Sequence, residues 1–310
     1  MGVDLSVTLG PLGLPSPVLT ASGTFGHGDE VARLGDPARL GAVTAKSVSP
    51  EPWAGKPAPR LHMTAAGMVN AVGLQGPGME AWLAHDLPAL RATRARVMAS
   101  VWGHTVDDFA RATKMLSDAN ADVVAVEVNA SCPNLHSHAE QGAIWAHDAH
   151  ATGEVVRAVR DATSLPVFAK LSPNVTDLTE IARAAVDAGA DGLTLVNTVL
   201  ALVVDAETRR PVLGGGGGGL SGPAIKPIAL RAVHTVTRAL PGVPVIGTGG
   251  IDSGVDAVEM LLAGASAVAV GTANFRDPRA PYRVLDELVE WCARHDVARV
   301  RDLTGALEDA

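Results

Sequence analysis

The chain has 310 residues, with 25 Lys and Arg against 33 Asp and Glu, a formal charge of −8 spread along the sequence rather than gathered into tails. That balance excludes a polyanion or nucleic-acid partner, and no stretch of ~18 uncharged apolar residues offers a membrane span. The two cysteines, Cys132 and Cys292, are too few for a disulfide framework, a zinc site of cysteines or an iron–sulfur cluster within this chain. The opening Met1-Gly2-Val3-Asp4-Leu5 lacks the basic and apolar pattern of a leader, so a cytoplasmic protein is expected.

In chain order, residues 6–17 read as a β-hairpin turning at Gly10-Pro11, placed to cover the bottom of whatever follows. Eight β-rich runs come next, at 18–22, 42–47, 96–102, 123–131, 167–172, 192–198, 245–250 and 267–273. Most are continuously apolar, as in Val123-Val124-Ala125-Val126 and Ala267-Val268-Ala269-Val270, the pattern of parallel strands covered by helices on their outer side.

Amphipathic segments fill the gaps. Asp177 caps a helix carrying Leu178, Ile181, Ala182, Ala185 and Val186, which Gly189 stops. Asp252 or Ser253 starts another, with Val255, Val258 and Leu262 inward and Gly264 at its end. Eight alternations of strand and helix predict an α/β fold, a (β/α)8 TIM barrel formed by residues 1–310 as a single domain. Two long connections, 49–66 and 199–223, are expected to rise over the C-terminal face. The second contains Gly214 to Gly219, which lacks a following Lys-Ser/Thr and is read as a mobile loop rather than a phosphate-binding P-loop.

In such a barrel the chemistry sits where the strands end at their C-terminal side. Glycines at the ends of strands seven and eight, Gly249-Gly250 and Gly271-Thr272, let backbone N–H groups approach a phosphate. Lys46 and Lys170 end apolar strands, where an ammonium calls for an anionic partner. Asn70, Asn129, Asn134 and Asn197 add amides to the same face, suited to a planar ring with alternating C=O and N–H groups.

Cys132 directly follows strand four, where a thiol can accept a proton, act as a nucleophile or simply pack as a small hydrophobe. No His with an orienting carboxylate adjoins it, which disfavours a protease-like nucleophile. Cys292 lies on the apolar stripe of Val284, Leu285, Leu288 and Trp291 and belongs to the core. His136 and His138 lack a third ligand, so no metal site is expected there.

These residues resemble the class 1 dihydroorotate dehydrogenases, most closely the class 1B catalytic subunit, over nearly the whole chain. The resemblance rests on Ala21-Ser22-Gly23-Thr24-Phe25-Gly26, Asn70-Ala71-Val72-Gly73-Leu74-Gln75, Asn129-Ala130-Ser131-Cys132-Pro133-Asn134, Lys170-Leu171-Ser172-Pro173-Asn174, Gly218-Gly219-Leu220-Ser221-Gly222-Pro223-Ala224 and residues 265–275. It implies FMN over the barrel mouth. The phosphate would lie at Gly249, Gly250, Gly271 and Thr272, and Ala21, Ser22, Lys46, Ser47, Asn129, Val196 and Gly222 would line the flavin and ribityl chain. Lys170 would stand at the flavin edge that becomes anionic on reduction.

It further implies that dihydroorotate is held by Lys46, Asn70, Asn129, Asn134, Asn197 and Thr198 and by backbone at Val72, Gly73 and Leu74. Cys132 would take the C5 proton while hydride leaves C6 for flavin N5, yielding orotate for pyrimidine (UMP) synthesis. Class 1B relatives form a homodimer within a heterotetramer, passing electrons to a subunit that carries FAD and a [2Fe–2S] cluster and reduces NAD+. Class 2 relatives use Ser at this step and carry an N-terminal membrane extension, and neither pattern is read here.

The chain departs from the family at Gly76, where relatives commonly have Asn in a Gly-Leu-Gln-Asn-Pro-Gly run, and at 135–150, read as a lid, where a glycine-rich stretch is usual. Two neighbouring enzyme readings are a dihydropyrimidine dehydrogenase-like flavoenzyme and a fumarate-linked class 1A dihydroorotate dehydrogenase. A phosphate-binding barrel without catalysis would not need Lys46, Cys132, Asn134 and Lys170 together.

Overall fold

In the computed structural model, which describes residues 2–31, 34–131 and 144–308, the eight apolar runs close into one parallel barrel. Its strands are β1 (Val18–Thr20), β2 (Val43–Thr44), β3 (Val97–Val101), β4 (Ala125–Asn129), β5 (Val167–Lys170), β6 (Gly192–Leu195), β7 (Val245–Thr248) and β8 (Ala267–Val270). Each pairs with its neighbours in sequence, and β8 returns to β1 through Val268↔Val18, Ala269↔Leu19 and Val270↔Thr20. Every residue of these strands is buried, because alternate side chains fill the barrel while the others meet the surrounding helices.

The hairpin expected at the bottom is present. Val7–Leu9 and Leu12–Leu14 pair antiparallel, with Leu9 opposite Leu12 across the Gly10-Pro11 turn. Gly10 has φ +59°, and a Cβ there would lie 3.2 Å from the Asp191 carbonyl, just before β6, so the turn packs against the N-terminal end of the barrel.

The helices start and stop where their caps dictate. Asp177 accepts hydrogen bonds from the N–H groups of Thr179 and Glu180 to begin Leu178–Asp187, and Gly189 ends it at φ +105°. Ser253 and Asp256 form a reciprocal capping box at the head of Gly254–Leu262. The inward face of that helix differs from the expected one. Val255 is 49% exposed, and the buried residues are Gly254, Ala257, Val258, Met260 and Leu261. Close packing on the helix Ala280–Arg294 is the reason, since a Cβ on Gly254 would lie 2.5 Å from the backbone of Glu287.

The two long connections do more than loop over the barrel mouth. Together with Gly67–Asn70 they build a four-stranded antiparallel sheet in the order Val199–Ala201, Gly218–Ser221, Gly67–Asn70, Leu61–Thr64. The glycine run is therefore not loop throughout, because its last two residues, Gly218 and Gly219, form a strand. Glycine is required where a Cβ on Gly218 would sit 2.5 Å from the Asn70 carbonyl, and on Gly67 2.0 Å from that of Ser221. Val69, Ala71 and Leu213 form a small apolar core beneath this sheet, which fixes Asn70 above the barrel.

Candidate active site

A cleft opens between the C-terminal end of the barrel and the four-stranded sheet. Ala21, Ser22, Lys46, Ser47, Asn70, Val72, Gly73, Leu74, Asn129, Lys170, Val196, Asn197, Thr198, Gly222, Gly249, Gly250, Gly271 and Thr272 all line it. Cys132 and Asn134 lie outside the described residues, as do His136, His138 and the first part of the expected lid, 135–143. Met68, Leu61, Ser221, Ile225, Thr248 and Phe275 also face the cleft, and sequence reading missed them. Leu61 and Ser221 belong to strands inside segments that read as loop, and Met68 to a strand just beyond the first of them, so no periodicity marked them.

Lys170 ends β5 at 5% exposure, and its Nζ donates to Ser22 Oγ at 3.0 Å. Among the described residues no carboxylate comes within ion-pair distance of it. Lys46 is fixed through its backbone N–H, which donates to the Gly26 carbonyl at 3.0 Å. Burial lowers the Lys46 pKa, the positive charge of Arg60 lowers it further, and Glu30 opposes both. Two cations thus face one cleft, and Lys170 has no carboxylate within ion-pair distance among the described residues, an arrangement suited to an anion.

The amides are tied into one polar system. Asn129 Nδ2 donates to Ser47 Oγ at 2.8 Å, while Asn197 Nδ2 donates to Ser131 Oγ at 2.9 Å and reaches Asn129 Oδ1 at 3.4 Å. Asn197 Oδ1 in turn accepts from the Thr198 N–H at 2.8 Å, and Asn70 Nδ2 donates to the Gly219 carbonyl at 3.3 Å. The backbone at Val72 to Leu74 is pinned from outside. Lys56 N–H donates to the Val72 carbonyl at 3.0 Å, and Trp53 Nε1 donates to the Gly73 carbonyl at 2.9 Å. Trp53 itself packs edge-on against Trp102 and His104, with ring centroids at 6.3 and 4.6 Å.

Gly249 and Gly250 follow β7 with φ of +123° and +79°, and a Cβ on Gly250 would stand 2.8 Å from the Cα of Lys226. No other residue fits that backbone path. Gly271 and Thr272 end the adjacent β8, so four backbone units converge on one corner of the cleft. The lone buried ammonium, the glycine-lined corner and the amides between them match the donor set that FMN requires: an anionic ring edge, a phosphate and a polar linker.

At Gly76 a Cβ would meet His27 Nε2 at 3.4 Å, an ordinary van der Waals contact, so nothing in the structure explains glycine at this position. That buried Nε2 has no hydrogen-bond partner, and burial together with the nearby Lys46 charge drives the His27 pKa down to about 4, against a smaller opposing effect of Glu30.

The dihydroorotate dehydrogenase family model matches residues 4–291. A relative from Geobacter sulfurreducens, described as dihydroorotate dehydrogenase B (NAD(+)), catalytic subunit, is 47% identical over 98% of this chain and 98% of its own. A putative dihydroorotate dehydrogenase A (fumarate) from Solibacter usitatus is also 47% identical, covering 99% of this chain and 100% of its own. Among solved structures, a DHODH from Eimeria tenella in complex with ferulenol shares the fold, with a TM-score of 0.79 at 23% identity over 98% of this chain and 88% of that one. From the family model and the near-full-length relatives together, the chain belongs to the dihydroorotate dehydrogenase family.

Proposed function

We propose that this chain is the FMN-dependent catalytic component of a dihydroorotate dehydrogenase, oxidising (S)-dihydroorotate to orotate in pyrimidine biosynthesis. The observation that carries the reading is the pairing, in one cleft, of a 5% exposed Lys170 lacking any carboxylate partner among the described residues with the linked amides of Asn129 and Asn197. Gly249, Gly250, Gly271 and Thr272 would hold the FMN phosphate, and Ala21, Ser22, Ser47, Val196 and Gly222 would line the rest of the cofactor. When bound, FMN supplies the acceptor for the hydride that leaves C6 of the substrate.

The chain's own residues do the remainder. Lys170 places a positive charge where the flavin edge gains negative charge, and Lys46 faces both cofactor and substrate. Asn70, Asn129, Asn134, Asn197 and Thr198 match the alternating C=O and N–H groups of the dihydropyrimidine ring, with the backbone at Val72, Gly73 and Leu74 closing one side. Cys132 takes the C5 proton. It directly follows Ser131, whose hydroxyl is held by Asn197 Nδ2, so base and substrate amides share one anchor.

Residues 1–310 act as one FMN-binding unit in the cytoplasm, and no helix among the described residues is long and apolar enough to cross a membrane. Electrons leave to NAD+ through a partner subunit carrying FAD and a [2Fe–2S] cluster, a reading supported by the description of the Geobacter relative as a catalytic subunit. A homodimer belongs to the same reading. The Solibacter relative's description favours a second reading, with fumarate as acceptor.

Denaturing the purified protein should release FMN at about one per chain. Colourless protein would contradict the flavoenzyme assignment. Dihydroorotate-dependent NAD+ reduction should appear only when the partner subunit is added, whereas fumarate reduction by the chain alone would favour the second reading.

A further inference from the structure

Beneath the substrate amides lies a line of four buried polar side chains drawn from two strands, β3 and β4, and the segment that follows β2. Asn129 Nδ2 donates to Ser47 Oγ at 2.8 Å, Ser47 Oγ meets Ser100 Oγ at 2.8 Å, and Ser100 Oγ donates to Glu127 Oε1 at 3.1 Å. The four are 6%, 2%, 1% and 2% exposed. Ser100 and Glu127 are cross-strand partners in the barrel, and Glu127 precedes Asn129 by two residues, so both point to the same side of β4. Among the described residues no cation comes within ion-pair distance of Glu127, which leaves this carboxylate without a structural salt bridge to explain it.

We propose that Glu127 is a positioning residue that, through Ser100 and Ser47, fixes which end of the Asn129 amide faces Asn197 and the ligand cleft. A carboxylate has no hydrogen to give, so Ser100 must donate to it, Ser47 must donate to Ser100, and Asn129 must present N–H rather than C=O to Ser47. The two ends of an amide have nearly the same shape, so packing cannot make this choice and the hydrogen-bond network does. With Nδ2 committed to Ser47, Oδ1 is left to accept from Asn197 Nδ2 and Ser131 Oγ, both at 3.4 Å. Those contacts are longer than the 2.8 Å bond to Ser47, so the stronger orienting pull comes from the Glu127 side. A substrate with a fixed pattern of donors and acceptors then meets one pattern of partners, a role that rests on the proposed contact of Asn129 with flavin and pyrimidine.

The test is orotate binding to FMN-loaded protein, followed through the flavin absorbance without turnover, for wild type, Glu127→Gln, Ser100→Ala and the double variant. A Gln side chain can donate as well as accept, and Ala cuts the line at its middle. Each single variant should keep its FMN and its Tm within a few degrees yet bind orotate about tenfold more weakly, the advantage of a charge-assisted bond over a neutral one. The double variant should bind no more weakly than the worse single one, because both changes break the same line. A Glu127 that is merely a satisfied core group would leave orotate affinity within twofold in both singles, or give a double variant equal to the product of the singles, and either result overturns the proposal. Should Glu127→Gln fail to fold, Ser100→Ala alone decides by the same criterion. A wild-type protein whose flavin does not respond to orotate removes the functional reading, and the role of Glu127 with it, whereas responsive wild type with unaffected variants removes only the latter.

Discussion

Replacing Lys170 with Met should push the flavin-free and flavin-bound proteins in opposite directions. The side chain is 5% exposed, and Ser22 Oγ at 3.0 Å is a neutral partner. Without flavin the ammonium is a buried charge lacking a carboxylate partner among the described residues, and an apolar group in its place should stabilise the protein on the scale of about 1–4 kcal/mol seen where apolar groups replace buried ion pairs. In a chain of this size that corresponds to a rise in Tm of about 2–8 °C. With FMN bound the sign reverses, because the cation loses a charge-assisted contact of about 1.5–3 kcal/mol. FMN binding should then weaken about 10- to 150-fold. Scanning calorimetry of the flavin-free proteins and titration of FMN by quenching of its fluorescence read the two effects separately. A flavin-free variant less stable than wild type, or an unchanged FMN affinity, would refute the assignment of Lys170 as an anion receptor.

Further substitutions probe other parts of the cleft. Gly250→Ala places a Cβ 2.8 Å from the Cα of Lys226 at a φ of +79°; the strain is about 1–3 kcal/mol, and purified variant should carry less than half the wild-type flavin by absorbance. His27 has its pKa lowered to about 4 from an ordinary 6.5, so the unfolded chain binds more protons between those values. The stability from keeping this ring neutral is therefore fully present above pH 6.5 and lost as pH falls towards 4, by about 1–2 kcal/mol after allowing for solvent screening of a partly exposed ring. Denaturant midpoints for His27→Gln should lose that part of the pH slope; a slope equal to wild type would exclude His27 as its source. Cys132→Ala should retain FMN but slow flavin reduction by dihydroorotate ~10²- to 10⁴-fold in stopped flow, and an unchanged rate would remove Cys132 from the chemistry.

The barrel was legible because parallel strands buried on both sides read as near-continuous apolar runs, as in Ala125-Val126 of β4 and Ala267-Val268-Ala269-Val270 of β8. Most of the cleft followed, since in this architecture strand ends such as Lys170, Asn129 and Gly249 converge whatever the helices do. The sheet above the mouth was not legible. Glycine carries no hydropathic pattern, and the strand at Gly218–Ser221 exists because backbone can approach the Asn70 carbonyl closely there. Val255 was misplaced for a related reason: Gly254 lets the helix Gly254–Leu262 approach the backbone of Glu287 closely, which leaves Val255 outside. Ser100 and Glu127 meet through the register of β3 against β4, a contact that neither segment announces alone.

The central claim, that dihydroorotate reduces a flavin held in this cleft, is tested most directly by adding dihydroorotate to the FMN-loaded protein without oxygen. The flavin absorbance should bleach, with orotate formed in proportion to flavin reduced. Flavin that stays oxidised with dihydroorotate, while uracil or thymine reoxidises the chemically reduced protein, would contradict the account and make this a dihydropyrimidine dehydrogenase-like enzyme.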